Sequence, residues 1–191
     1  MADTSRSQTK FVLKKTVAMI GMMGAGKTAV GRVVAHKLNV SFLDSAAEIE
    51  RAANRTVPEI FERDGEPFFR KRETEVIARL LEGAPCILST GGGAYLAAEN
   101  RKTISARGLA LWLDADLELL WSRVRHKNTR PLLRTADPKA SLTRIYQERV
   151  PIYQKADISV ACEDDLSIDE MADKVISGLA ARPDVLEVVD A

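Results

Sequence analysis

Cysteine is scarce in this chain: Cys86 and Cys162 are the only two, and they form no C-x-x-C pair. That excludes a disulfide framework and a cysteine-built zinc site, and it fits a reducing, cytoplasmic setting. Histidine is equally sparse. His36 and His126 lie far apart, match no metal-ligand spacing and read as surface residues. Charge of one sign is also missing, with 28 Lys and Arg against 27 Asp and Glu for a net +1. This balance argues against a generic nucleic-acid or membrane-surface binder. No apolar run approaches the length of a bilayer span. Met1 to Lys15 lacks the apolar stretch of a secretion signal and reads as a flexible leader rich in Ser, Thr, Gln and Lys.

What is present suits one ordinary globular domain: 191 residues, 46% hydrophobic and 29% charged. Leader 1–15, domain 16–181 and tail 182–191 are the expected divisions, with both ends disordered. Strand and helix patterns alternate throughout. The expected strands are 16–20, 41–44, 86–89, 109–113 and 158–161. The helices expected between and after them include 46–53, 57–63, 67–81, 97–106, 116–124, 141–153 and 167–180. Such alternation predicts an α/β fold with a parallel sheet covered on both faces. Ligands then sit beyond the carboxyl ends of the strands.

One loop at such an end is unambiguous in its chemistry. Gly21-Met22-Met23-Gly24-Ala25-Gly26-Lys27-Thr28 fits G-x-x-x-x-G-K-[ST], between the apolar run Thr16–Ile20 and a helical pattern through Val30, Val33, Val34 and Leu38. Backbone N–H groups and a helix N-terminus would face nucleotide phosphates, Lys27 would reach the terminal phosphates, and the Thr28 hydroxyl would bind Mg²⁺.

Other residues fall at neighbouring strand ends. Asp44 can hold Mg²⁺ or its waters, or cap the helix that follows; Asp114 is its rival, with capping again the alternative. Gly91-Gly92-Gly93 predicts backbone at positive φ or in close approach to a ligand. Arg70 and Glu73, three apart on one helix, form either an ion pair on a solvated face or a carboxylate clamp walled by Phe61, Phe68 and Phe69. Arg149 is undecided by its local sequence. Arg123, Arg125, Lys127, Arg130 and Arg134 make a basic loop. That loop is either a solvated or nucleic-acid-binding segment, or a mobile lid at about 123–136 that closes over a triphosphate and excludes water.

Taken in order, these pieces resemble the shikimate kinase family over about Thr16 to Leu179. The resemblance rests on the phosphate loop and Phe42-Leu43-Asp44, on Glu59 to Glu66 with Phe68-Phe69-Arg70 and Glu73, and on Ser89 to Gly93. Asn128-Thr129-Arg130-Pro131-Leu132-Leu133 and Arg149-Val150-Pro151-Ile152-Tyr153 complete it. It implies a three-layer α/β/α protein of the nucleoside-monophosphate-kinase-like type, with a central five-stranded parallel sheet, acting as a cytoplasmic monomer. It further implies transfer of the ATP γ-phosphoryl group to the 3-hydroxyl of shikimate. By that resemblance Gly24, Ala25, Gly26, Lys27, Thr28 and Ala29 hold the phosphates, Thr28 and (through water) Asp44 serve Mg²⁺, and Lys27, Asp44 and Arg130 are catalytic. Arg123 borders the adenine and Arg130 reaches ATP from the lid. Arg70 and Arg149 take the shikimate carboxylate with the Gly92 N–H, and Glu73 orients Arg70.

The chain departs from the family at Ala46, where a second aspartate would accept hydrogen bonds from the substrate's hydroxyls. Ser45 or Glu48 is the available substitute. Rival expectations are a kinase for another polyol acid such as gluconate, a nucleotide kinase, or an ATP-binding regulator without catalysis.

Overall fold

Thr16–Ile20 is buried at every position, which a strand can satisfy only with neighbours on both sides. In the computed structural model, which describes residues 9–127 and 131–189, this segment is the central strand β2, preceded by a short β1 (Lys10–Leu13). Around it lie β3 (Phe42–Asp44), β4 (Ile87–Ser89), β5 (Gly108–Asp114) and β6 (Ile158–Ala161), all parallel, in the order β3-β4-β2-β5-β6. Val17 stands opposite Ile87 on one side and Leu109 on the other. Asp44 and Ser89 share a register level at the carboxyl end.

From β2 the chain crosses β4 to reach β3, while from β4 it crosses β2 to reach β5. These neighbours therefore send the chain in opposite directions, and the crevice above them is where a ligand fits. Right-handed crossovers place α1 (Lys27–Leu38) on one face. They place α4 (Glu66–Leu81), α5 (Ala98–Arg107) and α7 (Pro138–Tyr153) on the other. The last helix, α8 (Ile168–Ala180), returns to pack on α1. Three layers result.

The remaining helices carry their own start signals. α2 (Ser45–Ala53) begins where the Asp44 side chain accepts from the Ala47 N–H. In α3 (Val57–Asp64), Thr56 and Glu59 cap each other's backbone and Pro58 fills a first-turn position. α6 (Leu117–Val124) is capped by Asp116. Ile49, Ile60, Phe69 and Val76 join α2, α3 and α4 through a small apolar core of their own, apart from the main one.

Two expectations give way. The leader and tail are not wholly disordered: Lys10–Leu13 pairs antiparallel with β7 (Leu186–Val189), and Leu13, Val185 and Leu186 are buried. Apolar side chains that reach the main core offset the ordering cost of such short segments. α7 starts at Pro138 rather than Ser141, because Asp137 accepts from the Ala140 N–H and proline suits the first turn.

Candidate functional site

The loop after β2 needs its glycines for two separate reasons. Gly21, Gly24 and Gly26 have φ of +144°, +83° and +96°, a region closed to most side chains. Space is short as well: a Cβ on Gly24 would fall 2.7 Å from Val124 Cγ1. Left-handed Gly26 then turns directly into α1, so the first-turn N–H groups of Lys27, Thr28 and Ala29 face outward at a positive helix end. Lys27 Nζ donates to the carbonyls of Gly21 at 2.7 Å and Met22 at 3.0 Å. Arg123, on α6, donates from Nη1 to the carbonyls of Gly24 and Ala25 at 3.1 and 3.3 Å. These groups border a cavity of about 540 Å³, whose far wall is Cys162, Leu166, Ile168 and Met171. That volume suits a nucleotide, with polar groups at one end and an apolar shelf at the other. The shelf residues lie far along the chain from the loop and carry no motif. Arg130 lies outside the described residues, as do Asn128 and Thr129.

A second set of groups meets at the loop after β4. Gly91, Gly92 and Gly93 do not have positive φ, so that part of the expectation fails. What crowds Gly92 and Gly93 is arginine, while a Cβ on Gly91 would meet Glu73 Oε2 at 3.4 Å. A Cβ on Gly93 would fall 2.5 Å from Arg70 Nη2, and one on Gly92 would fall 2.9 Å from Arg149 Nη1. Arg70 therefore comes from α4 and Arg149 from α7 to the same short stretch of backbone. The Arg70 guanidinium also lies 5.3 Å above the Phe69 ring, whose other neighbour is Phe61 at 4.8 Å.

Arg70 Nη1 donates to Glu73 Oε1 at 2.9 Å, so the i,i+3 pair exists. It is not the pair of a solvated face, because Glu73 is only 2% exposed. Burial pushes the Glu73 carboxyl above its ordinary value, against the opposing pull of Arg70 and Arg149. Glu66 adds a longer contact to Arg70 Nε at 3.4 Å, which the sequence reading missed. It also gave no role to Tyr153, one turn after Arg149 on α7. That hydroxyl donates to the Gly92 carbonyl at 2.6 Å.

Asp44 is half-buried at the carboxyl end of β3 and caps α2 through one carboxylate oxygen. Capping does not account for Asp114, since Asp116 is the residue that accepts from the Leu119 N–H. Asp114 is instead pushed toward its protonated form by burial and by Asp116. Ala46 occupies the first turn of α2, half-buried. Neither substitute for a carboxylate there is available. Glu48 is engaged by Arg51 at 3.0 Å and Arg79 at 3.7 Å, and the Ser45 hydroxyl is fully buried without a partner among the described residues. His36 and His126 are exposed, as expected.

A nucleotide-sized cavity under a glycine cradle, beside a separate cationic pocket, presents a phosphate donor to a small anionic acceptor. The class so defined is the P-loop phosphotransferases that act on a hydroxyl group. A sequence model of the family described as shikimate kinase matches residues 23–180. The shikimate kinase of Ruegeria pomeroyi is 65% identical over 92% of this chain and 90% of its own length. The shikimate kinase of Cereibacter sphaeroides is 59% identical over 92% and 87%. Among solved structures, the shikimate kinase from Acinetobacter baumannii in complex with shikimate superposes with a TM-score of 0.81 at 36% identity, covering 87% of this chain and 93% of the other. The chain belongs to the shikimate kinase family.

Proposed function

We propose that this protein transfers the γ-phosphoryl group of ATP to the 3-hydroxyl of shikimate, as a cytoplasmic monomer in the route to aromatic amino acids. The observation that carries the acceptor assignment is the convergence of Arg70 and Arg149 on Gly92 and Gly93 from two different helices. Two guanidinium groups with adjacent backbone N–H groups recognise a small carboxylate in bidentate fashion. Glu73 holds Arg70 in that pose. Among the described residues no helix is long and apolar enough to cross a membrane.

At the donor end, the backbone N–H groups of Gly24 to Ala29 hold the phosphates and Lys27 contributes positive charge to the γ-phosphoryl group. The apolar shelf takes the adenine beside Arg123. Arg130, carried by the lid, stabilises charge on the transferring group, and closure keeps water from competing with the acceptor hydroxyl. Thr28 and Asp44 are hard oxygen donors of the kind Mg²⁺ accepts alongside phosphates and water, so the donor set fits that ion. When bound, Mg²⁺ neutralises phosphate charge. Asp44 would hold the metal through water with the carboxylate that also caps α2.

The test is a coupled ADP-release assay with MgATP and shikimate at millimolar levels, with gluconate and AMP in parallel. ADP release with shikimate alone is expected. Turnover of gluconate or AMP instead, or calorimetric ATP binding with no transfer to any acceptor, overturns the reading.

A further inference from the structure

Arg70 and Arg149 differ in how they are held. Arg70 has two carboxylate partners, Glu73 and Glu66. Arg149 makes no ion pair among the described residues. A long side chain with so little holding it loses rotamer entropy whenever it grips a ligand, which weakens binding unless something else fixes it. Fixed groups beside it are Gly92, whose Cβ position is 2.9 Å from Arg149 Nη1, and Tyr153 one turn further along α7. Tyr153 is wholly buried. Its ring packs on Trp112 of β5 at 6.3 Å between centroids, and its hydroxyl donates to the Gly92 carbonyl at 2.6 Å.

Trp112 in turn touches the phosphate loop. Its Cδ1 atom is 3.5 Å from the Cβ position of Gly21, and the Gly21 carbonyl oxygen is 3.8 Å from the Cβ position of Gly92. The peptide joining Gly92 to Gly93 is planar, so a hydrogen bond to the Gly92 carbonyl also fixes the direction of the Gly93 N–H.

We propose that Tyr153 is a positioning residue for the acceptor: it locks the Gly92–Gly93 peptide and sets the face against which Arg149 lies, and so registers the carboxylate pocket on the phosphate loop. This rests on the reading of Arg149 as a ligand of the acceptor carboxylate. Tyr153 acts through these groups and touches no substrate. Arg149 also offsets part of the rise that burial imposes on the Tyr153 hydroxyl, which places the two in electrostatic contact.

The experiment compares shikimate with its neutral methyl ester in the wild type, Tyr153→Phe and Arg149→Ala. Phenylalanine keeps the packing on Trp112 and removes only the donor. KM for shikimate is expected to rise about tenfold in Tyr153→Phe, the size of one buried hydrogen bond. The expected kcat change is small, and KM for MgATP and the melting temperature stay near wild type. Discrimination between acid and ester falls in both variants. A residue that merely fills the core would not move that ratio.

Discrimination kept by Tyr153→Phe but lost by Arg149→Ala overturns the positioning role and leaves the pocket intact. Discrimination kept by both overturns the pocket assignment itself. If Tyr153→Phe does not fold, Tyr153→Met, which fills similar space without a donor, is read by the same ratio.

Discussion

The Arg70 guanidinium occupies the space that a side chain at position 93 would need, with Nη2 only 2.5 Å from where a Cβ would stand. Arg149 has the same relation to Gly92. The triple glycine is thus not a device for unusual backbone angles. Gly92 and Gly93 let two arginines come closer to the loop at the end of β4 than any side chain there would allow. Two guanidinium groups gathered at one short stretch of backbone are the donors that a small carboxylate requires.

Gly93→Ala tests this directly. The methyl group collides with the far end of a flexible side chain, so Arg70 moves and the fold does not. KM for shikimate is expected to rise at least about tenfold, since a displaced charged hydrogen bond costs that much or more. KM for MgATP and the melting temperature should change little. Unaltered shikimate kinetics would show that Arg70 contributes nothing to the acceptor.

Glu73 makes a prediction in pH. Burial raises its carboxyl above the ordinary 4.5 despite Arg70 and Arg149. The folded protein therefore keeps this proton to higher pH than the unfolded chain does. Stability is lost as pH climbs from about 4.5 through the folded value, and the penalty is complete above it. Glu73→Gln removes that penalty while still accepting from Arg70. Its melting temperature, relative to wild type, should climb between pH 4 and 8, and its KM for shikimate should increase because Arg70 loses a charged partner. A difference in melting temperature that is flat with pH contradicts the assignment.

Cys162 lines the nucleotide cavity, yet burial pushes its thiol up to about 11. At pH 8 its thiolate fraction is on the order of 10⁻³, against roughly a quarter for an ordinary cysteine. Iodoacetamide labelling of Cys162, followed by peptide mass spectrometry, should run roughly two hundredfold slower than for a free thiol at that pH. It should accelerate about tenfold per pH unit toward pH 10, and MgATP should slow it further. Fast labelling at neutral pH would mean that the thiol is not held in this wall.

Elements whose chemistry is local were legible before any coordinates. The all-apolar Thr16–Ile20 run and the phosphate loop each carry their signal within a few residues, whereas the mutual capping of Thr56 and Glu59 went unread. The β1–β7 ribbon was not legible, because its strands of four residues stand at opposite ends of the chain and neither is convincing alone. Glu73 illustrates a second limit. Its spacing from Arg70 says that the two can pair, but whether that face of α4 meets water depends on what other segments cover it. The cap of α6 shows a third: Asp114 and Asp116 look alike in sequence, and only the position of the first free N–H selects Asp116. Tyr153 was visible as a letter beside Arg149, while its task depends on a contact with Gly92, far away along the chain.

The gap at Ala46 is the sharpest departure from the family pattern, and the surrounding geometry determines what repair should do. Glu48 is held by Arg51 and Arg79, and the Ser45 hydroxyl is sealed inside. No neighbour on this turn can offer a carboxylate to the acceptor's hydroxyls. An aspartate introduced by Ala46→Asp would stand in the first turn of α2, where negative charge complements the helix end. A carboxylate that orients a hydroxyl and assists its deprotonation contributes roughly 10²- to 10⁴-fold. We therefore expect kcat/KM for shikimate to rise at least about tenfold in Ala46→Asp, with KM for MgATP and the melting temperature little changed. Phosphoryl transfer depends mainly on alignment and charge stabilisation, so the unaltered chain should retain measurable turnover. If the variant turns over shikimate no faster, the missing carboxylate does not limit this enzyme, and the acceptor is aligned by the arginine pocket alone.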